Sequence, residues 1–268
     1  MIQAGHGLRD YWRDLVTYRE LFGFLAWRDL AVRYKQTVIG IAWSVIRPLL
    51  TMAVFTIVFG SIAQLPSGGA PYPVLVFAAM LPWQFFSTGL VESSASLVAN
   101  ANLITKVYFP RLALPVAALI VALVDLLIAL VLLALLMVLF GVTPGWRLLA
   151  LPGLILIAGL AALGAGVFLA ALNVRYRDFR YVVPFIAQLG LYVSPVGFSS
   201  DVVPDDWRLL YSLNPMVGVI DGFRWAVLGG EAQIYWPGFL ISVAVVGLLL
   251  LFGLRYFRAT ERGFADVI

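Results

Sequence analysis

Long apolar runs separated by short polar connections are the main feature of this sequence. Each of the six runs is close to or longer than the roughly 20 residues that an α-helix needs to cross a bilayer. The runs do not alternate apolar and polar residues as barrel strands do, so we predict six transmembrane helices. Their approximate bounds are residues 39–63, 73–99, 112–140, 148–172, 181–199 and 237–256.

Lysine and arginine are distributed unevenly over the connections. Of the 18 such residues, 15 lie before the first run or in its first part (Arg47), in the second and fourth connections, or at the end of the last run (Arg255) and after it. Only Arg147, Arg208 and Arg224 lie in the other connections. Because cytoplasmic loops carry the positive excess, we predict that both termini are cytoplasmic, which agrees with an even number of spans.

The composition excludes several classes of protein. With 62% hydrophobic residues, 12% charged residues and a mean hydropathy of +0.97, the chain is not a soluble globular domain, and residues 1–268 are predicted to form a single membrane domain. It has no cysteine and its one histidine is His6, so we expect no metal site. The net charge of +4 does not indicate a nucleic-acid partner, because the basic residues are spread over membrane edges.

Residues 17–36 precede the first run and are both apolar and charged. Phe24, Trp27, Ala31 and Tyr34 recur at spacings of three and four, so we predict a helix lying along the cytoplasmic interface. The alternative is that this segment is only the positive flank of the first span.

Two cytoplasmic connections, residues 100–111 and 173–180, combine basic with apolar or aromatic residues. The first is predicted to form a short helix that Asn102 caps and Pro110 ends. Either connection could be only a charged turn, but the apolar residues favour docking on another surface.

The outer connection, residues 200–236, is too polar for a span and too apolar for a free loop. We predict two short helices broken at Asn214–Pro215 that lie at the outer membrane face, as a gate or lid would.

Ionisable residues inside the predicted spans are few. Glu92 and Asp125 are functional candidates because charge at membrane depth is costly, but we favour the interpretation that they are protonated or paired.

Gly166 lies four residues from Ala162 and from Ala170, a spacing that suits packing within one chain as well as a dimer contact. No Walker A motif is present, so any ATPase must be another chain. A passive channel is disfavoured because no span has a strongly polar face.

Several aromatic residues lie away from the predicted interfaces. If their rings face an internal path, they could stack on the apolar faces of sugar rings while offering few strong hydrogen bonds. The candidates for this path are Phe55, Phe59, Phe85, Phe86, Tyr192 and Phe198.

These segments together resemble the ABC-2 type permease family, and within it the polysaccharide exporters of the O-antigen type. The resemblance covers nearly the whole chain, although Phe198 stands where relatives often have tyrosine. The stretches that carry it are RDLAVRYKQ (28–36) with Gly40, Trp43 and Pro48, LPWQFF (81–86), NLITKVYFPR (102–111), NVRYRD (173–178), SPV (194–196) and LNP (213–215).

The resemblance implies a homodimer in the bacterial inner membrane that works with two copies of a separate ATP-binding subunit. ATP and Mg²⁺ would bind that subunit, and this chain would carry no cofactor and no catalytic residue. The implied cargo is a lipid-linked polysaccharide moved to the periplasm. The residues implied in coupling to the ATPase are Phe24, Trp27, Lys106, Tyr108, Arg111, Arg175, Arg177 and Asp178, and those in the outer gate are Trp207, Tyr211, Asn214 and Pro215.

The sequence is also compatible with other functions. The same architecture could export teichoic acid, a capsule polymer or a smaller lipid. A protein of another class, an integral membrane enzyme acting on lipid-linked sugars, would work without an ATPase partner. It would need catalytic polar groups gathered at one membrane face.

Overall fold

The computed structural model describes residues 18–35, 40–107, 109–229 and 232–264, which fold into helices with no strand among them. The α-helices are α1 (Arg19–Lys35), α2 (Gly40–Phe55), α3 (Tyr72–Ala99), α4 (Ala101–Lys106), α5 (Ala113–Leu139), α6 (Leu151–Arg175), α7 (Phe179–Val193), α8 (Asp205–Tyr211), α9 (Pro215–Leu228) and α10 (Trp236–Thr260). Short 3₁₀ turns cover Trp146–Ala150, Ser200–Val202 and Glu261–Gly263.

Five helical segments in the described ranges are long and apolar enough to cross a membrane, so the chain is a multi-pass membrane protein. They are Val45–Ile62, Tyr72–Ala99, Ala113–Leu139, Trp146–Arg175 and Trp236–Thr260. The predicted span at 181–199 is shorter than expected. Its helix, α7, has 15 residues and ends at Val193, before the Ser194–Pro195 pair, and is therefore about 22 Å long.

The first span is not a single α-helix. After Phe55 the helix α2 continues as a seven-residue π-helix, Thr56–Ile62. A π-helix of this length is rare. The helix as a whole still ends where the sequence pattern predicts, because Ala63 is its C-terminal cap.

Helix α3 is the centre of the bundle and packs against α5, α6, α7 and α9. Two clusters of buried apolar side chains lie along it. One contains Val74 to Leu81 of α3 with residues of α9, and the other contains Leu97 with the starts or ends of α4, α5, α6 and α10. The second cluster marks the basic end of the bundle, at which the lysine- and arginine-rich connections meet.

Small residues allow the closest helix contacts. A Cβ atom added to Gly164 of α6 would lie 2.7 Å from the backbone of Leu250 on α10. One added to Gly166 would lie 2.7 Å from Cβ of Ser93 on α3. The small-residue spacing of this span is therefore used for packing within one chain, one of the two interpretations that the sequence left open.

Gly164→Ala tests this packing. We expect the variant to lose roughly 1–3 kcal/mol of unfolding free energy, because the added methyl group meets backbone atoms that cannot move aside. The matched control is Gly247→Ala on α10, where an added Cβ meets nothing within 4 Å. Denaturant titration in detergent micelles measures both variants, and equal stabilities would contradict the packing assignment.

The short helix predicted in the 100–111 connection forms, but not with the predicted cap. Helix α4 begins at Ala101 with Asn100 at its N-cap position, so Asn102 lies inside the helix and is exposed. The helix stops at Lys106, four residues before Pro110. Ile104 is buried within the second apolar cluster rather than left free for a partner.

The outer segment is broken at Asn214–Pro215 as predicted, but its second helix does not lie on the surface. The side chain of Asn214 caps α9 by accepting a hydrogen bond from the Met216 amide at 3.0 Å. Most of α9 is buried against α3, α6 and α10. Its apolar side chains are thus covered by the bundle itself, whereas α8 stays largely exposed.

Candidate functional site

A groove runs between α2 and α7, with α3 as its floor. It has a volume of about 430 Å³ and is lined by Thr51 of α2 and by Ala187 and Gln188 of α7. The floor carries a polar stripe at helical spacing. The stripe consists of Gln84, Ser87, Thr88 and Glu92, each half-buried. The groove therefore has a narrow polar floor on a helix that is otherwise apolar.

A second space, the inner cavity, lies beside the groove. It has a volume of about 420 Å³ and is lined by residues of α1, α2, α3 and α5. Arg33, Gln84 and Thr88 line both the inner cavity and the groove. These three side chains lie where the two spaces adjoin, and we call them the partition.

Arg33 is held in this partition by two carboxylates. Its Nη1 donates to Oδ2 of Asp125 at 2.7 Å, and its Nη2 donates to Oε1 of Glu92. The Tyr34 hydroxyl donates to the other oxygen of Asp125. Burial, reinforced by Asp125, raises the pKa of Tyr34 to about 12, so this donor keeps its proton at neutral pH. Of the two interpretations offered for Glu92 and Asp125, protonated or paired, the structure shows pairing, because each carboxylate binds Arg33.

Arg33→Gln is expected to destabilise the chain because it leaves two neighbouring carboxylates without their shared cation. Removing one partner of a fully buried pair costs about 3–5 kcal/mol. Here the arginine side chain is 36% exposed, so we expect roughly 1–2 kcal/mol. Denaturant titration is the measurement, with Arg19→Gln, at an exposed position of the same helix, as the control.

Adding Glu92→Gln to the Arg33→Gln chain should recover part of the loss, since one uncompensated charge disappears. A double variant no more stable than the single one would contradict the pairing.

The candidate path residues are not equivalent in the structure. Phe55 and Phe59 are ring neighbours, with centroids 5.3 Å apart, and both cover Gly197 in the turn after α7. Tyr192 is 61% exposed, on the free face of α7. Phe198 is half-buried, and Phe85 and Phe86 are buried in the core.

The outer gate candidates contact the end of α7. The Tyr211 hydroxyl donates to the carbonyl of Val193 at 2.8 Å. Nδ2 of Asn214 donates to Oγ of Ser194 at 2.9 Å. Pro215 is the first residue of α9, and Trp207 is 62% exposed on α8. Tyr211 and Asn214 thus attach the outer segment to α7.

Arg224 is a second attachment point and is only 3% exposed. Its guanidinium donates to the carbonyls of Phe198 at 2.7 Å, Val196 at 3.0 Å and Leu75 at 3.3 Å. Burial lowers its pKa to about 10, which leaves it charged at neutral pH. One side chain of α9 therefore connects the turn after α7 to the outer end of α3.

Asp221 lies one helical turn before Arg224 and lines an outer cavity of about 400 Å³. Burial raises the pKa of Asp221 to about 6, and the neighbouring Asp201 adds to this rise. The hydrogen bond from Ser200 and the charges of Arg224 and Arg208 oppose it. The loss of solvation thus outweighs the attraction of the two cations.

This shift makes stability depend on pH. The folded protein holds the proton of Asp221 more tightly than the unfolded chain, so ionising this group weakens folding. The loss accumulates as the pH rises from about 4 to about 6 and is constant above that window. Asp221→Asn cannot ionise, so it avoids this loss. We therefore expect its free energy of unfolding at pH 7 to exceed that of the wild type by on the order of 2 kcal/mol. The two should agree near pH 4.

Denaturant titration at several pH values compares the two chains. A difference that stays constant with pH would contradict the shifted titration, since Asn and Asp differ in charge only when the carboxyl ionises.

Similarity to known proteins establishes the family of this chain. The model of the ABC-2 type transporter family matches residues 20–228, from the start of α1 to the end of α9. The chain belongs to the ABC-2 type transporter family.

Two relatives of this ABC-2 chain are O-antigen export system permease proteins RfbA. The protein of Myxococcus xanthus is 28% identical over 261 residues, which cover 96% of this chain and 98% of the relative. That of Klebsiella pneumoniae is 26% identical over 244 residues, covering 90% and 92%. The polysialic acid transport protein KpsM of Escherichia coli is 24% identical over 244 residues, covering 87% and 91%.

In this ABC-2 chain most of the predicted ATPase contacts are exposed at the basic end. The exposed members are Phe24, Trp27, Lys106, Arg175, Arg177 and Asp178. Arg111 instead donates to the Glu261 backbone carbonyl, so it joins the start of α5 to the end of α10. Tyr108 lies outside the described residues.

Sequence analysis missed the roles of Arg33, of Arg224 and of the α3 stripe. The stripe was detectable, since polar residues at 84, 87, 88 and 92 share one helical face. Arg224 had a weaker signal, as one of three basic residues in connections that otherwise lack them. The pairing of Arg33 with two separate helices needed the three-dimensional fold.

Proposed function

We propose that this chain is the membrane subunit of an ATP-driven exporter that moves a lipid-linked polysaccharide from the cytoplasm to the outer side of the inner membrane. In this proposal α7 is the sixth span, together with α2, α3, α5, α6 and α10. The basic end faces the cytoplasm, in keeping with the positive excess of its connections. The relatives named for O-antigen export and polysialic acid transport support the cargo class.

The observation that carries the proposal is the groove between α2 and α7. Its floor offers an amide, two hydroxyls and a carboxylate from one face of α3, and Trp83 also lines it. Sugars present hydroxyl groups that hydrogen-bond to such side chains and apolar faces that pack on aromatic rings. Lipid tails cannot form hydrogen bonds with a polar stripe, so the groove suits a hydrophilic polymer better than a simple lipid.

A second copy of the chain would complete the path. Helices α2 and α7 border the groove, and each leaves a wide apolar face exposed, including Leu50, Val54, Phe185, Leu189 and Tyr192. In a dimer, faces of this kind could contact the partner or turn towards a shared passage. Tyr192 is then the exposed aromatic residue next to the groove that is best placed to touch the polymer.

The ATP-binding subunit would dock at the basic end. Arg175, Arg177 and Asp178 are exposed at the turn between α6 and α7, and α7 forms one wall of the groove. In this proposal a displacement of the turn by the ATP-binding subunit also displaces α7, and with it one wall of the groove. ATP and Mg²⁺ belong to the partner subunit in this proposal, and two copies serve the dimer.

The test is co-expression with a candidate ATP-binding subunit in cells that lack their own O-antigen permease. The proposal expects a complex with two copies of each chain, ATPase activity, and polysaccharide restored at the cell surface. Failure to bind any ATP-binding subunit would overturn it.

Arg177→Ala should separate the two activities of that complex. Allosteric coupling between distant sites is typically worth a 5- to 150-fold effect, so we expect on the order of a ten-fold fall in polymer exported per ATP hydrolysed. Arg255→Ala is the control, an exposed arginine near the end of α10 and outside the turn. Unchanged export per ATP in Arg177→Ala would remove the docking assignment.

A further inference from the structure

The inner cavity has a chemistry that differs from that of the groove. Arg33 and Tyr34 of α1 and Arg47 of α2 line its polar part. Leu81 of α3 and Ala129 of α5 line the part that lies farther from the basic end along both helices. The cavity is therefore cationic towards the basic end and apolar towards the middle of the bundle.

Arg47 is the cation that is available to a ligand. Its side chain is exposed, and its guanidinium carbon lies 5.9 Å from the ring centroid of Trp43. Within the described parts of the chain, no ion pair links it to a carboxylate. Arg33, by contrast, already binds Glu92 and Asp125.

An exposed guanidinium beside a half-apolar cavity fits one type of ligand well. Arginine binds phosphate oxygens through two parallel hydrogen bonds, which a carboxyl or hydroxyl headgroup matches less strongly. The apolar wall would hold the first carbons of an attached chain. A phosphate-headed amphiphile satisfies both ends of the cavity, whereas free phosphate satisfies only one.

We infer that the inner cavity binds the phosphate headgroup of the lipid carrier to which the cargo is attached, with Arg47 as its main contact. This inference rests on the proposed function, because it takes the cargo to be lipid-linked. It goes beyond that function by giving the carrier a site of its own, separate from the groove for the sugars.

The partition gives the site a connection to the groove. Arg33 faces both spaces, together with Gln84 and Thr88. A headgroup on Arg47 would therefore lie next to these shared side chains, and a rearrangement of the Arg33 pairs would change the boundary between the two spaces. Arg33 sits on α1, so a movement of that helix would act on the partition directly.

The test uses the purified full-length chain in phosphatidylcholine nanodiscs and a fluorescent long-chain prenyl phosphate as the probe. Losing a charge-assisted hydrogen-bond pair weakens binding by about ten-fold or more, so Arg47→Gln should raise the Kd by at least that factor. The Kd of Arg47→Lys should lie between those of Arg47→Gln and the wild type. Lysine keeps the positive charge but cannot form the two parallel hydrogen bonds of a guanidinium group. Arg255→Gln, which removes an exposed arginine outside every cavity described above, should bind as the wild type does.

Two competitors identify the source of the phosphate. Inorganic phosphate and phosphatidylglycerol should not displace the probe at equal concentration or equal mole fraction. Displacement by phosphatidylglycerol would make this a general phospholipid site and overturn the carrier assignment. Equal Kd values for Arg47→Gln and Arg255→Gln would overturn the site itself.

The binding assay contains no ATPase and measures no export. A chain that fails to export but binds the probe through Arg47 would refute the proposed function and leave the site intact. A chain that exports but binds the probe without need of Arg47 would refute only the site. A matching size-exclusion profile for each variant excludes misfolding as the cause of lost binding.

Discussion

Close contact between helices that carry small residues is the constraint on which this structure depends. Lipid tails are as apolar as leucine, so helices gain little by hiding apolar side chains from them and associate through tight packing instead. Gly164 and Gly166 bring α6 against α10 and α3, and α3 is buried along most of its length. The helices α2 and α7 have much less contact with this centre. The tightly packed part and the less densely packed part of the bundle thus adjoin each other, and the groove lies between them.

Two arginines hold peripheral segments against this centre at opposite ends. Arg33 attaches α1 to carboxylates of α3 and α5 near the basic end, and Arg224 of α9 binds carbonyls of α3 and of the turn after α7 at the other end. They differ in chemistry. Arg33 is partly exposed and has carboxylates as partners, so it can exchange them for another anion or for water. Arg224 is buried on neutral acceptors, with the half-buried Asp221 nearby but not in an ion pair with it. The inner connection is thus the one that is easier to break.

Much of the architecture followed from the order of residues. The apolar runs predicted the helices, and the Asn214–Pro215 pair predicted the break before α9. The cost of charge inside a membrane indicated that Glu92 and Asp125 would be protonated or paired. What the order could not give was set by contacts between distant segments. Helix α7 ends at Val193 because Ser194 and Pro195 start a turn that Arg224 and Tyr72 hold through its carbonyls. Helix α9 is buried because three other helices surround it. The polar stripe of α3 was present in the sequence and was overlooked, because its four members are spread over nine residues of an otherwise apolar run.

The length of α7 has a consequence for the bilayer itself. At about 22 Å it is shorter than the hydrocarbon core, which is roughly 30 Å thick. A helix shorter than the surrounding membrane produces hydrophobic mismatch, which lipids relieve by thinning around it. In the proposed exporter, where α7 is the sixth span, the low-dielectric layer beside this helix would therefore be thinner than elsewhere. A polymer that passes along α7 would then cross about three-quarters of the usual thickness, and the desolvation of its hydroxyl groups would be reduced accordingly.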